Sequence, residues 1–239
     1  MKFSIITLFP DMFEPLKVGI TGRALKTQKI ALDLYNPRDY ADNRHRTVDD
    51  APYGGGPGMV MMAAPLSRAI LAAKEALPSA KVIYCSPQGK VFDQALAQDQ
   101  TKRDQPLIFI AGRYEGIDQR VIDLHVDEEW SLGDYILSGG ELAAMVMIDA
   151  ISRLIPGVLG DEQSAEIDSL SDGLLKYPQY TRPETFEGHS VPSVLLSGDH
   201  KAIAAWRKKQ SLLQTHLKRP DLLEKIALTD KQRVLKTKK

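Results

Sequence analysis

The 239-residue chain has a single cysteine, Cys85. No internal disulfide and no thiolate zinc cluster can therefore form, and a reducing cytoplasm is the expected setting. Long apolar runs are lacking too. The stretch from Leu142 to Ile151 is interrupted by Asp149 and falls well short of the roughly 20 residues a bilayer crossing takes. The run Phe3–Phe9 is stopped by Pro10-Asp11 before it reaches the length of a secretory signal, so no membrane partner is expected. Neither G-x-G-x-x-G nor G-x-x-x-x-G-K-[ST] occurs, which removes the usual dinucleotide fingerprint and the P-loop. Net charge is also missing, because 31 basic residues balance 31 acidic ones. With 43% hydrophobic and 26% charged residues, the chain is neither disordered nor fibrous but has the composition of an ordinary folded enzyme.

The zero net charge hides an asymmetry. Residues 111–190 hold 5 Lys/Arg against 16 Asp/Glu, whereas residues 201–239 hold 12 against 3. An acidic middle suits a cationic ligand or hydrated metal, and a basic tail suits a phosphate backbone. A solvated surface helix is the plainer account of the tail.

Short apolar segments at Lys2–Leu8, Ile30–Leu34, Lys81–Cys85 and Leu107–Ala111 read as strands, with helical spacing at Pro65–Leu77, Asp93–Gln100 and Glu141–Leu154. That alternation predicts an α/β fold with a mostly parallel sheet and helices on both faces. Gly198-Asp199 opens a further helix to about Lys218, with Ala202, Ile203, Trp206, Leu212, Leu213 and Leu217 expected on its apolar side; Pro220 and Thr229 start two more. The predicted division is a main domain over residues 1–160, a linker or lid over 161–172, and a small basic helical domain over 173–239.

Three loops follow strand candidates: Ser86-Pro87-Gln88-Gly89, Gly112-Arg113-Tyr114-Glu115-Gly116, and Leu132 through Gly140. In open α/β sheets ligands sit beyond the carboxyl ends of the strands, so three such loops on one edge make a binding site. Taken singly, each glycine loop is better explained as a simple turn. The segment Tyr53-Gly54-Gly55-Gly56-Pro57-Gly58 has little packing value, which points to close approach of a flat or bulky ligand. Before it, His45 with Arg44 and Arg46 either contacts phosphates or belongs to a solvated loop, and Asp49 or Asp50 can accept hydrogen bonds from a guanine edge. Arg153 ends a helix, and Asp168 lies in the proposed lid. They fit either a buried ion pair or a general base with a guanidinium that stabilises oxygen charge. Cys85 reads as a small buried hydrophobe.

Ser4–Asp11, Thr47-Val48-Asp49-Asp50, Pro52–Met59, Ser86–Gly89, Gly112–Asp118, Ser131–Glu141, Ser152-Arg153, Ile155–Gly160, Tyr180–Glu184 and Val194–Gly198 together resemble the bacterial tRNA (guanine-N1)-methyltransferase family. The resemblance runs over nearly the whole chain. It implies a SPOUT-class homodimer with a trefoil-knotted cofactor site. The implied reaction moves a methyl from S-adenosylmethionine to N1 of the guanine immediately 3′ of a tRNA anticodon. The cofactor loops then comprise Tyr84, Cys85, Ser86, Pro87, Gly112, Tyr114, Glu115, Gly116, Leu132, Gly133, Tyr135, Leu137, Ser138, Gly139 and Gly140. The base falls on Asp168 and the catalytic arginine on Arg153. tRNA contacts fall on His45, Arg46, Asp49, Asp50, Gly58, Lys208 and Lys209, and magnesium, which relatives use, falls near Glu115. Cys85, Leu132 and Leu170 depart from the residues common in relatives, the last at a position where an aromatic often packs the lid.

Overall fold

The computed structural model describes residues 1–160, 168–224 and 226. The chain divides into two compact units, Met1–Asp161 and Glu162–Lys239. In the first, five parallel strands stand in the order β2-β1-β6-β5-β7: β1 (Lys2–Ile6), β2 (Ala31–Tyr35), β5 (Lys81–Val91), β6 (Leu107–Ile110) and β7 (Glu128–Ser131). A short antiparallel hairpin, β3 (Asp49–Asp50) with β4 (Val60–Met61), lies apart from this sheet.

Strand side chains alternate between two faces, so neighbouring residues of one strand feed different cores. Phe3, Ile5, Ile83, Leu107, Phe109 and Trp130 pack with α1 (Gly19–Lys26), α3 (Gln94–Arg103) and α5 (Glu141–Ser152). Val82, Ile108 and Ile110 pack instead with α2 (Ala63–Ala76) and α4 (Gln119–His125). The central strand β6 is buried throughout, as its unbroken Leu-Ile-Phe-Ile requires of a parallel strand covered on both sides.

Two elements correct the sequence reading. Ser86–Gly89 is not a loop after β5 but an excursion within it: Cys85 and Lys90 both pair with Trp130, and the four residues between them bulge from the ladder. β7 itself was not expected, because Glu128-Glu129 looks unlike a strand. It is tolerated at a sheet edge, where Lys81 Nζ lies 2.6 Å from Glu128 Oε1 and Trp130 Nε1 donates to Oε2 at 2.7 Å.

The second unit holds a small hairpin, β8 (Thr185–Phe186) with β9 (His189–Ser190), and the 19-residue helix α6 (His200–Lys218). Asp199 caps α6, its carboxylate accepting from Lys201 N and Ala202 N at 2.9 and 3.0 Å. The expected apolar side of this helix is wrong in its second half. Leu212, Leu213 and Leu217 are exposed, while Ser211 and Thr215 are buried. Thr215 Oγ1 accepts from Leu175 N at 2.9 Å and donates to Ser211 O at 2.7 Å, so a hydroxyl facing inward satisfies a backbone donor that a leucine would strand. Helical geometry resumes from Pro220 to Glu224; the helix expected from Thr229 and residues 161–167 of the expected linker lie outside the described residues. Among the described residues, no helix is long and apolar enough to cross a membrane.

Candidate active site

The middle of β5, where its excursion begins, and the carboxyl ends of β6 and β7 open onto a cavity of about 390 Å³ in the first unit. Every residue assigned to the cofactor from Tyr84 to Gly140 lines it, joined by Arg113, Trp130, Ser131, Ile136 and Ala143. Part of its lining is apolar (Trp130, Leu132, Leu137, Ala143), and the rest comes from the glycine-rich loops with a few polar side chains. This is the usual composition of a small-molecule site, where a handful of polar groups orient a mostly apolar contact surface.

The loops hold one another. Gly140 N donates to Gly112 O at 2.9 Å, and a Cβ on Gly140 would stand 2.7 Å from Ala111 Cα, so only glycine lets the two segments close. Ser131 Oγ accepts from Gly133 N at 3.1 Å, and Gly133 O accepts from Tyr135 N at 2.9 Å, which curls the third loop at its start. Behind these loops is a polar lock. Arg113 Nε donates to Glu141 Oε1 at 3.1 Å and lies 2.9 Å from Oε2; Nη1 donates to Ser138 O at 3.0 Å; and the guanidinium sits 4.5 Å from the Phe9 ring centre. Thr7 Oγ1 completes the lock by donating to Glu141 Oε1 at 3.0 Å. Glu141 is wholly buried at the first turn of α5, where a carboxylate also meets the positive end of the helix dipole.

The β3–β4 hairpin runs beside the second loop. Glu115 N donates to Met59 O at 2.9 Å, Met61 N to Gly116 O at 3.0 Å, and Asp118 N to Met61 O at 3.1 Å. Tyr114 reaches across to Asp49, its hydroxyl 3.2 Å from Oδ1. Burial, then the Asp49 charge, pushes its phenol above the ordinary value. Gly58 has φ +80°, and a Cβ there would come within 2.5 Å of Glu115 Oε1, so this glycine keeps the hairpin loop against the cavity wall. Asp50 is exposed, and Tyr53 beyond it is fully exposed.

The remaining sequence candidates fall elsewhere. His45 and Arg46 are exposed and not on the cavity wall, Arg46 lying 3.2 Å from Asp39. Arg153 is half-buried at the carboxyl cap of α5 in the first unit. Asp168 is in the second unit, half-buried, with Lys176 Nζ 3.0 Å from Oδ1. Lys208 and Lys209 lie on α6, where Lys208 faces Asp172 at 3.3 Å, both well exposed. Among the described residues, no three His, Cys, Asp or Glu side chains gather as a metal cluster, and Glu115 is the only carboxylate on the cavity wall.

Two features escaped the sequence reading. Arg113 sits inside the glycine motif of the second loop, where the sequence gives it no role of its own, and Glu141 follows directly on Gly139-Gly140. An arginine within a glycine loop and a glutamate at the start of an apolar helix are each unremarkable until the fold places them together. Cys85, by contrast, is buried as expected. Burial, followed by the nearby Glu141 charge, pushes its thiol up to about 12, which leaves no thiolate for nucleophilic work.

Comparison with known proteins covers almost the entire chain. The family model described as tRNA (Guanine-1)-methyltransferase TrmD matches residues 1–225. A tRNA (guanine-N(1)-)-methyltransferase of Pseudoalteromonas translucida is 60% identical over 236 residues, covering 98% of this chain and 92% of the relative. The protein of the same name from Photorhabdus laumondii subsp. laumondii is 57% identical over 239 residues, covering 99% and 95%.

Proposed function

The chain belongs to the tRNA (guanine-1)-methyltransferase family, and from that premise we propose that it methylates N1 of the guanine immediately 3′ of the anticodon, using S-adenosylmethionine bound in the cavity beside the β5 excursion and the ends of β6 and β7. The observation that carries this reading is the convergence of the three loops on one cavity. Its apolar lining suits an adenine ring, its glycine-rich loops suit the polar edges of a nucleoside, and Glu115 offers a carboxylate to a sulfonium cation. Bound S-adenosylmethionine supplies the electrophilic methyl group.

The protein's own work is on the guanine. N1 carries a proton at neutral pH and has no free lone pair, so a base must remove that proton before or during attack. Asp168 takes this role in the proposed mechanism: Lys176 holds its carboxylate in the second unit and yields it when guanine arrives. As N1 loses its proton, negative charge moves to O6, where Arg153 donates a charge-assisted hydrogen bond. Asp49, Asp50 and Gly58 stand on the hairpin beside the cavity, and a guanine entering there meets carboxylates that accept from its N–H edge. Glu115 is the residue that would hold a magnesium ion, whose positive charge would stabilise negative charge on substrate oxygens.

The reading extends to a homodimer with a trefoil knot and a small helical tRNA-binding domain at the carboxyl end. Support for the knot lies in the path of the chain. β6 and β7 flank β5 on opposite sides, and the segment after β7 returns to lay Gly140 against Ala111 and Gly112. The dimer is carried by the family reading, with Arg153 contributed by the first compact unit and Asp168 by the second. Labelled methyl transfer to tRNA transcripts that differ only at the guanine beside the anticodon tests the whole. Incorporation at that guanine and nowhere else is expected; equal labelling of a transcript without it overturns the proposal.

A further inference from the structure

The second unit carries a cleft of its own, of about 470 Å³, between the segment Tyr177–Arg182 and α6. Its walls are unusual for a surface groove. Tyr180 and Trp206 pair with ring centres 6.3 Å apart, and the Arg207 guanidinium lies 4.9 Å from the centre of the Tyr177 ring. Arg182 and Glu184 are exposed at its margin. Tyr180 remains 48% exposed, so the aromatic surface faces the cleft instead of being spent on the unit's interior.

Aromatic faces beside guanidinium groups on a basic element match the chemistry of an unstacked nucleotide: the base stacks on rings, the phosphates find cations, and a carboxylate meets N–H donors of a base edge. The electrostatics agree. Over its 19 residues α6 carries Lys201, Arg207, Lys208, Lys209 and Lys218 and no acidic side chain. An apolar peptide would find no use for these cations, whereas a polyanion does.

We propose that this cleft binds one splayed nucleobase of the tRNA anticodon loop, other than the guanine being methylated, stacked against Trp206 and Tyr180. The inference rests on the tRNA reading above and adds to it a second base site, distant in sequence from the cofactor loops. Such a site would anchor the loop while its target guanine leaves the stack, and it explains why three rings and two arginines are gathered on a small unit with little other aromatic content.

Trp206 supplies its own probe. Trp130, the other tryptophan, is fully buried against the first core, so the difference between wild-type and Trp206→Phe emission reports on the cleft. Titration with an anticodon stem-loop RNA is expected to quench wild-type emission, with the quenched component absent in Trp206→Phe. A hairpin carrying 5-iodouridine in the loop is expected to crosslink to Tyr180 or Trp206 on irradiation. Trp206→Ala should weaken RNA binding by roughly 5- to 150-fold, the equivalent of about 1–3 kcal/mol for one stacked base, while leaving the salt dependence of binding unchanged. A merely structural loss would not spare the salt slope, and Trp206→Phe should retain most of the affinity. Quenching identical in wild-type and Trp206→Phe protein, or crosslinks confined to the first unit, overturns the second site while leaving the methyltransferase reading intact. A wild-type enzyme that binds the hairpin but never methylates tRNA fails the other way, sinking that reading without touching the cleft.

Discussion

Removing the charge from Glu141 tests whether the buried lock behind the cavity holds the candidate cofactor loops in place. Glu141 has no exposure and Arg113 only 17%, so their attraction is little screened and each depends on the other. Arg113→Ala strands a carboxylate that water cannot reach, and breaking a buried pair in this way costs about 3–5 kcal/mol. Glu141→Gln is milder. It keeps an acceptor for Thr7 and a shape for the pocket, and leaves a guanidinium that retains some contact with solvent. Its cost is that of a charge-assisted hydrogen bond, about 1.5–3 kcal/mol. For a chain of this size each kcal/mol lowers Tm by about 2–4 °C, so Glu141→Gln should melt roughly 3–12 °C below wild type and Arg113→Ala roughly 6–20 °C below. The double variant should lose less than the sum, because the second change removes a group already without its partner.

Calorimetric melting measures these shifts, and titration with S-adenosylmethionine measures their consequence. Arg113 also holds the Ser138 carbonyl, so Glu141→Gln should weaken cofactor binding by about tenfold, equivalent to about 1.4 kcal/mol, through a loop no longer preorganised. If both single variants melt within about 2 °C of wild type, the buried pair is not a major stabilising contact. If they melt low but bind cofactor normally, the lock is structural and does not order the site.

Asp168→Asn should nearly abolish single-turnover methyl transfer while leaving cofactor affinity close to wild type, since the candidate cofactor loops belong to the other unit; a variant that keeps most of its rate removes Asp168 from the role of base. Cys85 should resist iodoacetamide at pH 8 in the native protein and react after denaturation, as mass spectrometry would record. Its thiol ordinarily ionises at 9.0 and is held to about 12 when folded, so above pH 9 the unfolded chain releases a proton that the folded chain keeps and stability falls with pH; Cys85→Ser should flatten that decline. Neutralising Lys208, Lys209, Lys218 and Arg219 together should weaken tRNA binding and reduce its salt slope in filter-binding titrations; an unchanged slope returns this face to an ordinary solvated surface.

The sequence was most legible where a single physical signal dominated. Leu107–Ile110 could only be a covered strand, and the helix of Glu141–Ser152 follows from its apolar spacing and the Pro156-Gly157 stop. It was least legible where two demands compete within one segment. Glu128-Glu129 gives no strand signal of its own, and only Lys81 and the Trp130 indole, which satisfy Glu128, make it an edge strand. The Leu212-Leu213-Leu217 pattern suggested a buried face, but the backbone of Leu175 needed a hydroxyl acceptor, and Thr215 took the interior. Ser86–Gly89 has turn chemistry and is nonetheless embedded in a strand, because both ends of the excursion pair with the same tryptophan. The loops around the cavity were recognisable by their glycines. The group that locks them together was not, since Thr7, Arg113 and Glu141 come from three distant parts of the chain.

The charge pattern that first set the chain apart acquires a local meaning at the cavity. Among the described residues, Arg113 and Glu115 are the only charged side chains on its wall, and Arg113 is already neutralised from behind by Glu141. The charge left to act on a ligand is therefore that of the Glu115 carboxylate. On the proposed reading, it meets a methyl donor that is cationic before transfer and neutral after it. A carboxylate attracts the first and is indifferent to the second, so the same residue that favours loading gives the product no reason to stay. Had Glu141 not been buried against Arg113, the guanidinium would have faced the sulfonium and opposed binding. The buried pair thus serves charge as well as shape: it fixes the loop and leaves the wall with a net negative sign.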